Sequence, residues 1–222
     1  MFFASAAAAE WAEFRALFRC RAELALGLAN VDSPPRLEWT SGAPSRRDVD
    51  VSATAFATIE TPIGPLELIA TSAALTGVHF SGRAPTGAST AAVTAAEHPV
   101  LSLAARELTE YFAGDRQHFT VPLSLPLSGG GTPFQRHVWQ LLAEIPYSAT
   151  WSYADLARAA GRPRAVRAVG AANGKNPHSI IVPCHRVIQT GGQLGGYGGG
   201  LERKRWLLAH EGAVPSLPGL LP

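Results

Sequence analysis

The chain has 222 residues, enough for one large domain or two small ones. With 46% hydrophobic and 16% charged residues it can bury a core, which excludes global disorder. Its two cysteines, Cys20 and Cys184, exclude a disulfide framework or a four-thiolate metal site and fit a reducing, cytoplasmic setting. No apolar run is long enough to span a bilayer. The N-terminus lacks the basic region and uninterrupted apolar core of a secretory signal. The net charge of +2 is unevenly spread. Residues 1–131 carry 9 Lys/Arg against 13 Asp/Glu, and residues 132–222 carry 10 against 4. A basic second half points to a polyanion, or to a basic surface with no partner.

Residues 1–50 read as an extension. Trp11, Phe14, Leu17, Phe18, Leu24 and Leu28 recur at helical spacing, and residues 32–50 form a Pro/Ser/Arg/Asp-rich linker. The expectation is a poorly ordered appendage. Residues 51–128 form a first domain. Residues 55–60, 66–70, 75–80 and 118–123 read as strands, and Thr61-Pro62-Ile63-Gly64-Pro65 as a turn. Alanine-rich residues 90–97 read as helical, and a helix opens at Pro99 and stops at Gly114. Ser128-Gly129-Gly130-Gly131 is a linker.

Residues 129–214 form a second domain, and 215–222 a tail. Thr132, Pro133 and Gln135 spell a capping box with proline at the first helical position. Phe134, Val138, Leu141, Leu142 and Ile145 give that helix an apolar face, Trp139 belongs to the core, and Pro146 ends it. A short helix over 152–160 and another over 164–173, opened by Pro163 after a Gly161 turn, make a helix-turn-helix pattern. The second helix carries Arg164 and Arg167 beside Ala165, Ala168, Ala171 and Ala172. Small residues permit close approach to a groove, and arginines reach phosphates or bases. Such helix pairs also occur in proteins that never touch DNA. Gly174-Lys175-Asn176-Pro177 is a turn. Residues 191–200, with seven glycines around Tyr197, are either a lid or a hairpin tip. In a last helix over 201–211, Leu201, Trp206, Leu207 and Leu208 pack inward, while Arg203, Lys204 and Arg205 face water or DNA.

Before that glycine loop lies Ile180-Ile181-Val182-Pro183-Cys184-His185-Arg186-Val187-Ile188. It reads as a buried strand-like segment broken by a proline. A thiol there, with imidazole and guanidinium beside it, is a candidate nucleophile. It equally fits a buried structural cysteine.

Pro183-Cys184-His185-Arg186-Val187 resembles the active-site signature of the O6-alkylguanine-DNA alkyltransferases (methylated-DNA–protein-cysteine methyltransferases). The likeness extends in order through Ser152-Tyr153, Arg167-Ala168-Val169-Gly170, Asn176-Pro177, Gly196-Tyr197 and Trp206-Leu207-Leu208-Ala209-His210-Glu211-Gly212. It is strong over residues 132–212, weaker over 55–123, and absent from 1–50.

The resemblance implies an α/β fold. A small ribonuclease-H-like sheet-and-helix domain would precede a mainly α, winged-helix-like domain with the helix-turn-helix. It implies transfer of an alkyl group from O6-alkylguanine in duplex DNA to Cys184, once per molecule. His185 would deprotonate Cys184 through a water, and Glu211 would orient the imidazole. Asn176 would hold the turn beneath the cysteine, and Tyr153 would donate to the departing guanine. Arg167 would replace the flipped nucleotide from a helix in the minor groove. Arg162, Ala165, Ala168, Ala172, Asn173 and Thr190 would join Arg167 and Tyr153 against DNA. Cys184, Val187, Tyr197, Gly198 and Tyr153 would line the pocket. Gly198 stands where some members carry serine. The resemblance implies a monomer with no metal, no cofactor, no membrane association and no obligate protein partner. A DNA-lesion sensor or regulator on the same fold is the alternative, and a cysteine hydrolase a third reading that leaves the helix pair unexplained.

Overall fold

The computed structural model describes residues 54–82, 91–92, 95–125 and 130–213. The expected N-terminal helix, the first half of the glycine linker and the tail lie outside them.

β1 (Ala55–Ile59), β2 (Leu66–Ala70) and β3 (Leu75–Phe80) form an antiparallel meander, and β4 (Ala91–Ala92) adds parallel to β1. The order across the sheet is β3-β2-β1-β4. Period-two alternation buries Leu66, Leu68 and Ala70 of β2 on one face. The β1–β2 turn depends on Gly64, whose φ of 96° is open to glycine at little cost. α1 (Pro99–Ala113) lies on the sheet. Pro99 stands in its first turn, the His98 side chain accepts from Leu101 N at 3.4 Å, and Gly114 (φ 84°) closes it.

Two expectations in this half are corrected. Among the described residues of that stretch, 91–92 are strand and Ala95–Glu97 coil as a 3₁₀ turn. Pairing with β1 overrides the helix preference of alanine. Residues 118–123 make only a bridge at Leu123. Their amides are otherwise engaged: the buried Glu107 carboxylate accepts from Thr120 N at 2.9 Å and Val121 N at 3.1 Å, and Pro122 has no N–H.

In the second half, α2 (Pro133–Ala143) and α3 (Tyr153–Ala159) both begin with complete capping boxes, Thr132/Gln135 and Ser152/Asp155. α4 (Val166–Asn173) starts two residues later than the sequence suggests, because residues 162–165 are spent in the turn. Trp139 is 3% exposed and its Nε1 donates to Ala172 O at 2.9 Å, which locks α2 against α4. β5 (Trp151–Ser152) and β6 (Val187–Ile188) pair in parallel, fastening the start of α3 to the cysteine loop. α5 (Leu201–His210) closes the chain.

The two halves share one core. β3 reaches the cysteine loop through Val78 N to Pro177 O (2.9 Å) and Ser179 N to Val78 O (3.1 Å). Arg203 crosses the same seam, donating to Ile63 O at 2.7 Å and Gly199 O at 2.9 Å, over the Phe80 ring. Among the described residues no helix is long and apolar enough to cross a membrane.

Candidate active site

The expected strand through Ile180 is instead a chain of tight turns. Ile181 N bonds to Ser179 O and Val182 N to His178 O, both at 2.9 Å, and Cys184–Arg186 forms a 3₁₀ turn before β6. Ile180 takes φ 74°, which is strained for a β-branched residue and costs about 1–3 kcal/mol. Burial of Ile180, Ile181 and Val182 holds it there. Asn176 templates the turn from inside: its Nδ2 donates to Val182 O at 2.7 Å, and its Oδ1 accepts from His178 N at 3.0 Å.

Cys184 is 6% exposed. Burial pushes its thiol up, a push partly opposed by Asn176 and the Lys204 ammonium, so at rest it is a thiol that needs a base. The neighbouring His185 is fully buried, and its Nε2 lies 2.8 Å from Glu211 Oε1. Glu211 also accepts from Arg186 Nε at 2.7 Å, Arg186 Nη2 at 3.0 Å and Tyr111 OH at 2.7 Å. Burial alone would raise the Glu211 carboxyl, but His185 and Arg186 hold it far below the usual carboxylate range. An ionised Glu211 makes His185 Nε2 the donor, and Nδ1 then carries the free lone pair. Nδ1 is buried with no hydrogen-bond partner among the described residues. Burial pushes His185 down, reinforced by Arg186 and Lys204 and opposed by Glu211. The resting site is therefore a neutral thiol beside a neutral imidazole backed by a carboxylate.

Tyr153 is half-buried, and its hydroxyl donates to Gly196 O at 3.2 Å. Burial and then Cys184 push its phenol up, so it stays a donor at neutral pH. Tyr197 packs edge-on against Phe80, with ring centres 6.1 Å apart. A side chain at Gly199 would strike both rings, so the glycine run here is a close approach of backbone to aromatics. Gly198 and Tyr197 are half-buried and Val187 is buried.

The helix-turn-helix face divides. Arg162, Arg164, Arg167, Ala168 and Thr190 are exposed, and Ala165 is half-buried. Ala172 and Asn173 are not available to DNA, contrary to expectation: both are buried. Asn173 Nδ2 instead donates to Cys184 O at 3.4 Å, joining α4 to the cysteine loop.

Sequence reasoning missed three residues of the site, Lys204, Arg186 and Tyr111, and misplaced Leu201. Lys204 is fully buried and donates to Val187 O and Leu194 O, not to water. Burial lowers its ammonium to about 8. Its spacing to Leu207, Leu208 and Glu211 (three, four and seven residues) was the available signal. Leu201, expected inside, is 49% exposed. Arg186 was visible beside the cysteine, but its grip on Glu211 was not. Tyr111 comes from the other half of the chain, and no local pattern marks it.

Two family models match: the DNA-binding domain of 6-O-methylguanine DNA methyltransferase over residues 133–213, and its ribonuclease-like domain over 55–125. A methylated-DNA–protein-cysteine methyltransferase of Mycobacterium bovis is 45% identical over 156 residues, 70% of this chain and 91% of that protein. The Shigella flexneri protein of that name is 56% identical over 106 residues. That match covers 48% of this chain and spans 60% of the relative's length. The crystal structure of a Mycobacterium tuberculosis homologue (OGT) in complex with DNA superposes with a TM-score of 0.64 at 42% identity, over 75% of this chain and 96% of that one. The chain belongs to the methylated-DNA–protein-cysteine methyltransferase family.

Proposed function

We propose that this protein repairs DNA by moving the alkyl group of O6-alkylguanine onto Cys184, irreversibly and once per molecule. The observation that carries the reading is the buried line Cys184, His185, Glu211 beside the Tyr153 hydroxyl, under a basic helix pair. His185 Nδ1 takes the thiol proton through a water. Glu211 stabilises the imidazolium that results. The thiolate attacks the alkyl carbon, the sulfur–carbon bond forms as the carbon–O6 bond breaks, and the electron pair leaves with guanine. Tyr153 donates a hydrogen bond to that departing base.

The reacting oxygen lies inside the duplex, so the nucleotide must turn out of the stack, at a cost of a few kcal/mol. Arg167 is the residue suited to fill the gap: it is exposed on α4, among small residues that permit entry to the minor groove. Arg162, Ala165, Ala168 and Thr190 accompany it. The carbonyls of Cys184 and Val187 read the guanine amine, and Tyr197 and Gly198 line the pocket. The product is a thioether. Cys184 is the only free cysteine among the described residues, so none of them offers a second thiol to take the alkyl group away.

The test is intact-protein mass spectrometry after incubation with a duplex carrying one O6-methylguanine, followed by peptide mapping. One methyl group on Cys184, stoichiometric and absent from Cys184→Ala, is the expected result. Binding with no mass change would leave only a lesion-sensing role.

A further inference from the structure

We infer that Tyr111, on α1 of the N-terminal half, is a positioning residue of the catalytic line that sets the basicity of His185 by sharing its acceptor atom on Glu211. The inference rests on the reaction proposed above. Tyr111 OH and His185 Nε2 donate to the same oxygen, Glu211 Oε1, at 2.7 and 2.8 Å. Arg186 Nη2 donates to it as well, at 3.0 Å, whereas Oε2 has only Arg186 Nε. Tyr111 is fully buried. Burial and the Glu211 charge push its phenol well up, so it stays a donor at neutral pH.

A donor on Oε1 withdraws charge that would otherwise favour the His185 imidazolium. The other charged and titratable groups around His185 are Glu211, which raises it, and Arg186 and Lys204, which lower it. Cys184 adjoins it in the 3₁₀ turn, and Tyr147 packs against Tyr111 with ring centres 6.4 Å apart. Tyr111 is the member of this set that the ribonuclease-like half supplies. That half thereby completes the active site as well as bracing it. A purely packing role is the competing explanation, since Phe112, Phe119 and His210 ring Tyr111 at 5.1–5.5 Å.

The experiment is an NMR titration of the His185 ring in the unreacted full chain, alongside the pH profile of single-turnover methyl transfer. Tyr111→Phe keeps the ring and removes the donor. The His185 midpoint should rise by about half to one pH unit, and the acid limb of transfer should rise with it. A 3-fluorotyrosine placed at position 111 alone is a stronger donor of the same shape and should move both the other way. It decides the matter by itself if Tyr111→Phe does not fold. Phe119→Leu disturbs the packing of Tyr111 and leaves its hydroxyl, and should move neither. Unmoved midpoints in both Tyr111 proteins, or an equal shift in Phe119→Leu, would overturn the inference. Failure of the wild-type chain to transfer methyl would sink the reaction while the titration still reports on Tyr111.

Discussion

The cysteine loop and the outer face of α4 with the turn before it, the two surfaces the proposed reaction uses, are built on opposite terms. Around Cys184 the contacts that hold the loop are buried: Glu211 takes four hydrogen bonds from three side chains, Asn176 pins the turn, and Ile180 is held in a strained conformation. The face carrying Arg162, Arg164 and Arg167 is exposed. A nucleophile needs fixed geometry and a dry environment that sharpens electrostatics, so its surroundings are over-determined. On the proposed reading a duplex would supply the partners of the arginines itself, so those side chains can wait in water.

The sharpest way to break that contrast is Glu211→Gln. It leaves the buried Arg186 without its counter-charge and should cost roughly 3–5 kcal/mol by chemical denaturation, besides slowing transfer. An effect no larger than that of a surface substitution would show the loop to be less constrained than its contacts imply. Acid should act on the same residue. The Glu211 carboxyl is depressed in the folded state, so its contribution is present above about pH 4.3, its unfolded value, and is lost as pH falls toward the folded one.

Next in size is the seam behind the loop. His178 is fully buried, and burial holds it down at about 4 while the Leu75 carbonyl partly offsets this. A histidine depressed in the folded state binds protons more readily when unfolded. Stability should therefore fall by about 3 kcal/mol between pH 6.5 and 4, and His178→Gln should flatten that slope in thermal unfolding.

Smaller effects belong to α4 and the turn before it. Arg162→Ala and Arg164→Ala should each weaken duplex binding and lower the salt slope by about 1, with folding stability unchanged. Arg167→Ala should slow transfer more than it weakens binding to undamaged DNA. Loss of stability in any of the three would mean that this face is structural after all. Least of all, Trp139→Phe removes the bond to Ala172 O and should cost about 1 kcal/mol, detectable in urea midpoints.

Local signals carried far. The capping box at Thr132, the three strands that start near residues 55, 66 and 75, and the glycine stop at Gly114 all stand where the sequence put them. Each is decided within a few residues by hydrogen bonds to neighbouring amides or by which side of a pleat is apolar. The apolar run from Ile180 misled for the same reason. It reads as strand locally, but Asn176 and the edge of β3 claim its backbone and coil it. Asn173 and Lys204 misled through an assumption that polar side chains face out. Both are turned inward by carbonyls that come from elsewhere in the chain.

By itself, the sequence determined which residues are the candidates for chemistry, because a thiol beside imidazole, a helix pair with arginines and a family signature are written contiguously. It also determined where most elements begin, because capping and periodicity are short-range. Only the tertiary structure decided which nitrogen of His185 is free, that Arg186 and Tyr111 share the carboxylate with it, and that Lys204 lies inside. Those outcomes depend on groups brought together from as far as 100 positions apart in the chain, and on the removal of water that makes their charges govern one another.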